Sequence, residues 1–363
     1  MNHKFNYKWT LKDATFTKDK GTVFSCFAGG GGSSMGYKLA GFDVIGCNEI
    51  DHRMMYAYCQ NNGNPKFRYL EAIQDFVKEK EMPPELYELD ILDGSPPCSS
   101  FSLAGVGGEC GRQNGWGKKK KFREGQSEQI LDTLFFDFIE LAGRLHPKVV
   151  VAENVRGLLL GEAKGYVSRI YREFDKAGYH VQHWLLDAQY MGVPQRRERV
   201  FFIALRKDLV QFVPCQRTLF DAIPVLDMRF NETPITFGEC YDGKGNELVG
   251  EVMRKTWEQR QPGDSDLGDI TKRMSGKERM FNFYLIGKNE VCRQLTGKEC
   301  TNILFDEPRY LSEGEECCVA TFPQDYDFAG NKPHYVCGMS VPPVMMAQVA
   351  SRIYEQWLSK IKV

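Results

Sequence analysis

No run of about 18 apolar residues occurs in the chain, so no helical segment is expected to cross a membrane. Residues 1–20 are polar and charged and lack the apolar stretch of a secretory signal, and a cytoplasmic location is the expectation that follows. Paired C-x-x-C spacing is missing as well. Neither Cys292 with Cys300 nor Cys317 with Cys318 has the separation of a zinc site, and no metal is expected. The 12 cysteines of this 363-residue chain are then expected to be reduced, most of them as small buried apolar side chains. An excess of positive charge is also absent: the formal net charge is −1, without the overall basic footprint of many nucleic-acid-binding domains. Basic residues do gather locally, as Lys118, Lys119, Lys120, Lys121 and Arg123, as Arg196, Arg197 and Arg199, and as Lys272, Arg273, Lys277 and Arg279. Each cluster alone reads as a solvated face, although local basic surfaces hold phosphates on a globally neutral protein. No internal repeat of solenoid length is present.

What is present is enough apolar residue, 42%, for one large domain and a smaller second unit. The first half alternates short apolar runs with helical spacing. Strands are predicted at 22–27, 43–47, 89–92, 149–151 and 200–205, with helices starting near Ser33 and Asp51. Ile130, Leu134, Phe138 and Leu141 recur at helical spacing, and residues 344–358 read as a last helix. This alternation predicts an α/β fold with a doubly wound, mostly parallel sheet. Beyond Lys207 the period is lost, which predicts a second, irregular domain. The expected division is 1–206, 207–306, and 307–363 returning to the first domain.

Ligands of open α/β sheets bind at the carboxyl ends of strands, and the informative residues fall there. Phe27-Ala28-Gly29-Gly30-Gly31-Gly32 follows the first strand and allows close backbone approach to a cofactor. Glu49 ends the second strand, where an acidic side chain accepts hydrogen bonds from ribose hydroxyls. A glycine run alone is a plain loop; with Glu49 it points to a nucleoside-containing cofactor. Ser95-Pro96-Pro97-Cys98 ends a third strand, two prolines stiffening the chain before a thiol. A thiol fixed in this way is a nucleophile once its thiolate is stabilised. Glu153-Asn154-Val155 ends a fourth strand, where burial raises a carboxyl pKa. Gln195-Arg196-Arg197-Glu198-Arg199 runs into the next strand; alternate side chains share a face, so Arg197 and Arg199 are expected in one site. Taken singly, Glu153 reads as a cap or ion-pair partner and the arginines as a charged strand edge.

With these motifs in this order, from Val23 to Ile353, the sequence resembles the cytosine-C5 DNA methyltransferase family. The resemblance implies a Rossmann-like methyltransferase fold that binds S-adenosylmethionine through Phe27, Ala28, Gly29, Gly31, Gly32, Glu49, Ile50, Ile73, Pro96 and Ser340. It implies that Cys98 attacks C6 of a flipped cytosine, that Glu153 binds the exocyclic amine and N3, and that Arg199 holds O2. Arg197 is placed near the thiolate or a phosphate. Ser99, Ser102, Lys118, Lys119, Lys120 and Lys121 are implied as DNA contacts, in a glycine-rich stretch that closes over the base. Residues 207–306 become the target-recognition domain. Of two late segments with an Arg-x-Leu-Thr/Ser pattern, the one from Arg309 to Cys317 is preferred over Arg293 to Cys300, because it leads to Phe322-Pro323. Ser25 and Met339 depart from the family's usual Asp and Asn, and no acid matches near Ala72. The implied partners are double-stranded DNA and, functionally, a cognate restriction endonuclease. The enzyme is expected to be monomeric, nucleoid-associated, and bacterial or phage-encoded. A tRNA cytosine-C5 methyltransferase of the same fold and a Rossmann dehydrogenase are the competing readings, alongside a non-catalytic relative.

Overall fold

A computed structural model describes residues 3–97, 119–120, 129–130, 133–160, 164–214, 223–248, 250–280, 282–297 and 301–361. The chain divides into two compact units, both discontinuous.

The larger unit, residues 15–186, 198–229 and 346–363, is built on a 7-stranded sheet. Its strands are β1 (Thr22–Cys26), β2 (Asp43–Asn48), β3 (Phe67–Tyr69), β4 (Ile91–Gly94), β5 (Val149–Val155), β6 (Tyr179–Asp187) and β7 (Glu198–Arg206). The spatial order is β3-β2-β1-β4-β5-β7-β6. β1 to β5 pair in parallel, and β7 runs antiparallel to β5. This is the predicted doubly wound sheet. β1 lies between β2 and β4, so the connections diverge there, and the strand ends at such a point are where ligands of open α/β sheets bind.

One sheet face, carrying Phe24, Cys26, Leu92, Val150, Ala152 and Phe202, packs on the helix Leu134–Leu145. That helix buries Leu134, Phe138, Leu141 and Leu145 on one stripe and ends where His146 turns left-handed before Pro147. Gly94 is required beneath it, because a Cβ there would sit 2.6 Å from the Phe138 ring. Ile130 is not part of this helix; it pairs in Gln129–Ile130, antiparallel to Lys119–Lys120, and the helix starts after Thr133. Helix α1 (Gly32–Leu39) follows the glycine loop, and α2 (His52–Asn62) is capped by Asp51, which accepts from the Arg53 and Met54 amides.

The smaller unit, residues 1–14, 187–197 and 230–345, has no extended sheet among the described residues. Its strands pair only as Tyr284–Ile286 with Asn302–Leu304 and as Gln195–Arg196 with Cys292–Arg293. A core of Leu248, Trp257, Leu267, Ile270, Leu285 and Ile303 holds its helices Glu251–Glu258 and Leu267–Ser275.

The boundaries differ from the expected cuts at 206 and 306, for identifiable reasons. Trp9 Nε1 donates to Thr321 O at 2.8 Å, and Asp325 accepts the Leu11 and Lys12 amides, which draws the N-terminus into the smaller unit. The buried Arg309 guanidinium meets Glu315 at 2.8 Å through both terminal nitrogens, holding the segment after 307 there too. Residues 224–229 belong instead with the sheet: Gln182 Nε2 donates to Pro224 O, and Gln356 binds the Asp227 backbone. The cysteine expectation also needs correcting. Cys26, Cys47, Cys292, Cys317 and Cys337 are buried thiols, but Cys240 and Cys318 form a disulfide, brought together by the helices Phe237–Cys240 and Glu313–Val319.

Candidate active site

The glycine loop leaves β1 through two left-handed residues, Phe27 at φ 53° and Gly29 at φ 52°, followed by Gly31 at φ 86°. The Ala28 amide donates to Asn48 O, and the Gly31 amide donates back to Ala28 O, closing a tight turn into Gly32 and α1. Glu49 organises the turn from the end of β2. Its Oε2 accepts the Gly29 amide at 2.7 Å and its Oε1 the Asp51 amide at 2.8 Å. Burial pushes the Glu49 carboxyl above its ordinary value, while these two amide bonds act the other way. Of the expected cofactor residues, the glycine loop and Glu49 are thus joined directly, with half-buried Ile50 next to Glu49. Ile73 opens the short helix Ile73–Phe76 and is buried in the core against the sheet.

Pro96 follows β4 and is buried, and its carbonyl accepts Asn154 Nδ2 at 3.0 Å. Asn154 is a positioning residue to which the sequence reading gave no role. It ties the end of β5 to Pro96, two residues before Cys98 in the chain. Cys98, Ser99, Ser102, Lys118 and Lys121 lie outside the described residues, and Lys119–Lys120 form the short strand noted above.

Glu153 and Arg199 meet across β5 and β7, Arg199 Nε lying 2.9 Å from Glu153 Oε1 with both side chains about one-tenth exposed. The antiparallel register explains this. Glu153 faces Phe201 and Arg199 faces Val155, so the pair is diagonal at the strand ends. Burial draws Arg199 below the ordinary guanidinium value, and Glu153 opposes that.

Arg197 belongs to the smaller unit, whereas Glu153 and Arg199 belong to the larger one. The run is two strands, Gln195–Arg196 and Glu198–Arg206, and the division between units falls between Arg197 and Glu198. Arg197 is 1% exposed and donates to the carbonyls of Leu295 at 3.2 Å, Gly338 at 2.9 Å and Ser340 at 2.7 Å, all within the smaller unit. Its observed role is to clamp backbone. With Arg199 buried as well, the cluster of Arg196, Arg197 and Arg199 is not the local basic surface its sequence implied. In the third basic cluster, Arg273 is committed to Asp264 at 2.9 Å.

A family model described as C-5 cytosine-specific DNA methylase matches residues 21–355. The chain belongs to that family. A DNA cytosine-C5 methyltransferase by family, it is 28% identical over 332 residues to the type II methyltransferase M.Eco47II of Escherichia coli, covering 85% of this chain and 72% of that protein. It is 30% identical over 320 residues to M.Sau96I of Staphylococcus aureus, covering 85% and 69%. Among solved structures, DNMT2 of Spodoptera frugiperda superposes with a TM-score of 0.63 at 17% identity, over 92% of this chain and 99% of the other. That likeness shows the fold, a Rossmann-like sheet of the C5 methyltransferase kind. In the methyltransferase the segment from Arg309 to Cys317 runs into the helix Glu313–Val319, Ser312 and Glu315 completing a capping box, and it leads on to Phe322-Pro323. Among the described residues no cluster of three or more His, Cys, Asp or Glu side chains is placed to hold a metal, and no helix is long and apolar enough to cross a membrane.

Proposed function

We propose that the enzyme uses S-adenosylmethionine to methylate C5 of a cytosine flipped out of a specific duplex DNA sequence, with Cys98 as nucleophile. The observation that carries this reading is the buried Glu153–Arg199 pair, fastened through Asn154 to Pro96, two residues before Cys98 in the chain, together with a glycine loop held by Glu49.

The residues fit this methyl donor. A Cβ at Gly29 would meet nothing within 4 Å, so the loop presents bare backbone to open space. Each Glu49 oxygen accepts one amide and keeps acceptor capacity for a ribose hydroxyl. Phe27, Ala28, Gly29, Gly31, Gly32, Glu49, Ile50, Ile73 and Pro96 would hold the donor, joined by Ser340. When bound, the donor supplies an electrophilic methyl group on a sulfonium.

The chain's own residues make the cytosine able to accept that methyl. The Cys98 thiolate adds to C6 and raises electron density at C5. Glu153 binds N3 and the exocyclic amine and delivers a proton at N3 as the ring becomes electron-rich. Arg199, held by Glu153, donates to O2 and fixes the ring plane. After transfer, water takes the C5 proton, the N3 proton returns to Glu153, and the Cys98 thiolate leaves, restoring the aromatic ring. Extruding the base costs a few kcal/mol, in line with the general behaviour of DNA methyltransferases.

The lysines 118–121 contact phosphates, and the smaller unit reads the target sequence. The protein acts as a monomer in the cytoplasm, on the nucleoid, functionally paired with a cognate endonuclease. The type II bacterial relatives favour duplex DNA over tRNA as substrate. Bisulfite sequencing of DNA from expressing cells tests the whole reading and yields the target. Methylation should appear at one short motif and vanish with Cys98→Ser; methyl transfer to tRNA but not to duplex DNA would overturn the substrate.

A further inference from the structure

A carboxyl group that the proposed chemistry does not use lies under the site. Asp93, on β4, is 1% exposed. Its Oδ2 accepts the Ser25 hydroxyl at 2.9 Å and its Oδ1 the Tyr37 hydroxyl at 3.2 Å. Ser25 and Tyr37 are themselves 1% and 0% exposed. No ion pair reaches Asp93 among the described residues, so two neutral donors from β1 and α1 satisfy it. A buried acid without a cation is unfavourable for stability and is kept only where its hydrogen bonds are satisfied.

Its position gives it a purpose. Ser25 and Asp93 are direct register partners on adjacent parallel strands, so their side chains share one sheet face. Two residues after Ser25 the chain enters the glycine loop at Phe27. Three residues after Asp93 it reaches Pro96, two residues before Cys98 in the chain. Tyr37 belongs to the helix into which the glycine loop runs. The carboxyl therefore bolts together the root of the cofactor loop, the strand that leads to residues 95–97 and the helix beyond the loop. Asp93 also pairs in register with Val151, which puts Glu153 on the same face two residues nearer the strand end.

We propose that Asp93, held by Ser25 and Tyr37, is a positioning residue that fixes the spacing between the glycine loop and residues 95–97, which precede Cys98 in the chain. The proposal rests on the function proposed above. Methyl transfer needs donor and nucleophile set to within a fraction of an ångström, and a misplacement of about 1 Å lowers rates by about a hundredfold. The groups facing Asp93 are Ser25 from β1, Tyr37 from α1 and Glu153 from β5. Burial, with Glu153 adding to it, lifts the Asp93 carboxyl to about 7.

Because Ser25 and Asp93 are register partners, carboxyl and hydroxyl can be exchanged. Wild type, Ser25→Asp, Asp93→Ser and the double exchange are compared for kcat and for KM toward S-adenosylmethionine, on duplex DNA carrying the target, with Tm measured in parallel. Ser25→Asp sets two carboxyls against each other and Asp93→Ser leaves none; each should lower kcat by about tenfold or more. The double variant should recover to within about threefold of wild type. Asp93→Asn, which cannot ionise, should alter the pH profile of kcat between about pH 6 and 8 relative to wild type. Should the single variants lose Tm while the folded fraction keeps wild-type kcat and an unchanged pH profile, Asp93 is only structural and the proposal fails. A double variant no better than the singles also overturns it. Wild type inactive on duplex DNA would be a failure of the proposed function instead, a different outcome from an active enzyme indifferent to the exchange.

Discussion

Glu49 ends a strand with both oxygens on backbone amides, so it shapes the glycine loop before any ligand arrives. Glu49→Ala should therefore weaken S-adenosylmethionine binding by about 1.5–3 kcal/mol, the range for hydrogen bonds to a charged group, and change DNA affinity far less. Calorimetry on both ligands checks this, and equal losses for the two would place Glu49 in the scaffold alone. Asp93 makes a second prediction at this scale. Its carboxyl ordinarily ionises near 3.8, and in the fold it holds its proton to about 7. The stability contributed by that proton is complete below the lower value and is lost as pH rises through the upper one. Wild type should accordingly lose stability relative to Asp93→Asn between about pH 4 and 7, by at most about 1.4 kcal/mol per pH unit, and level off above. Urea unfolding across this range decides it, and a difference that grows in favour of wild type with rising pH would contradict the burial argument. Much of the site was legible at this scale, because Glu49, Glu153 and Arg199 stand in order at strand ends. Asn154 and Asp93 were not assigned roles, since their partners, Pro96 O and the Ser25 and Tyr37 hydroxyls, are defined only by strand register. The backbone partners of Arg197, Leu295, Gly338 and Ser340, could not be read from the sequence, because they lie about a hundred residues or more further along the chain.

Among the elements, the turn from β1 into α1 has the tightest requirement. A Cβ at Gly31 would lie 2.0 Å from Asn62 Nδ2 at the end of α2, at a left-handed φ of 86°. Gly29 shares the left-handed backbone but faces nothing within 4 Å. Gly29→Ala should destabilise by about 1 kcal/mol from backbone strain, and Gly31→Ala by clearly more because an overlap is added. Thermal unfolding of the pair checks this, and equal Tm values would show that Asn62 moves aside freely. β1, β2, β4, β5 and β7 were legible as elements because each contains a short apolar run, such as Val149–Val151 in β5 and Val200–Leu205 in β7. β3 is only the three residues Phe67–Tyr69, too short to show a period. β6, at the sheet edge, mixes His180, Gln182, His183 and Trp184 at intermediate or full exposure and gives no alternation. The irregularity expected beyond Lys207 is real, but its limits depend on contacts such as Trp9 with Thr321, 312 residues apart, which no local pattern encodes.

For the whole molecule, a net charge of −1 means that DNA affinity must come from local groups rather than from the overall field. Replacing Lys118, Lys119, Lys120 and Lys121 with Gln should weaken binding to target and non-target duplexes alike. It should also flatten the salt dependence by about one log–log unit for each phosphate that is no longer neutralised. Titrations at several salt concentrations test this; an unchanged slope would make the lysines bystanders, and a collapse of discrimination at constant slope would make them base readers. Arg197, clamped to Leu295, Gly338 and Ser340, has a consequence in time as well as in space. Two of its partners lie 141 and 143 residues further along the chain, and Trp9 waits for Thr321 across 312. A ribosome delivers residues in order, so the unit that needs those partners stays incomplete until Thr321, Gly338 and Ser340 have emerged. Contacts of such separation also close slowly. The smaller unit can therefore finish folding only once its residues as far as Ser340 have been made.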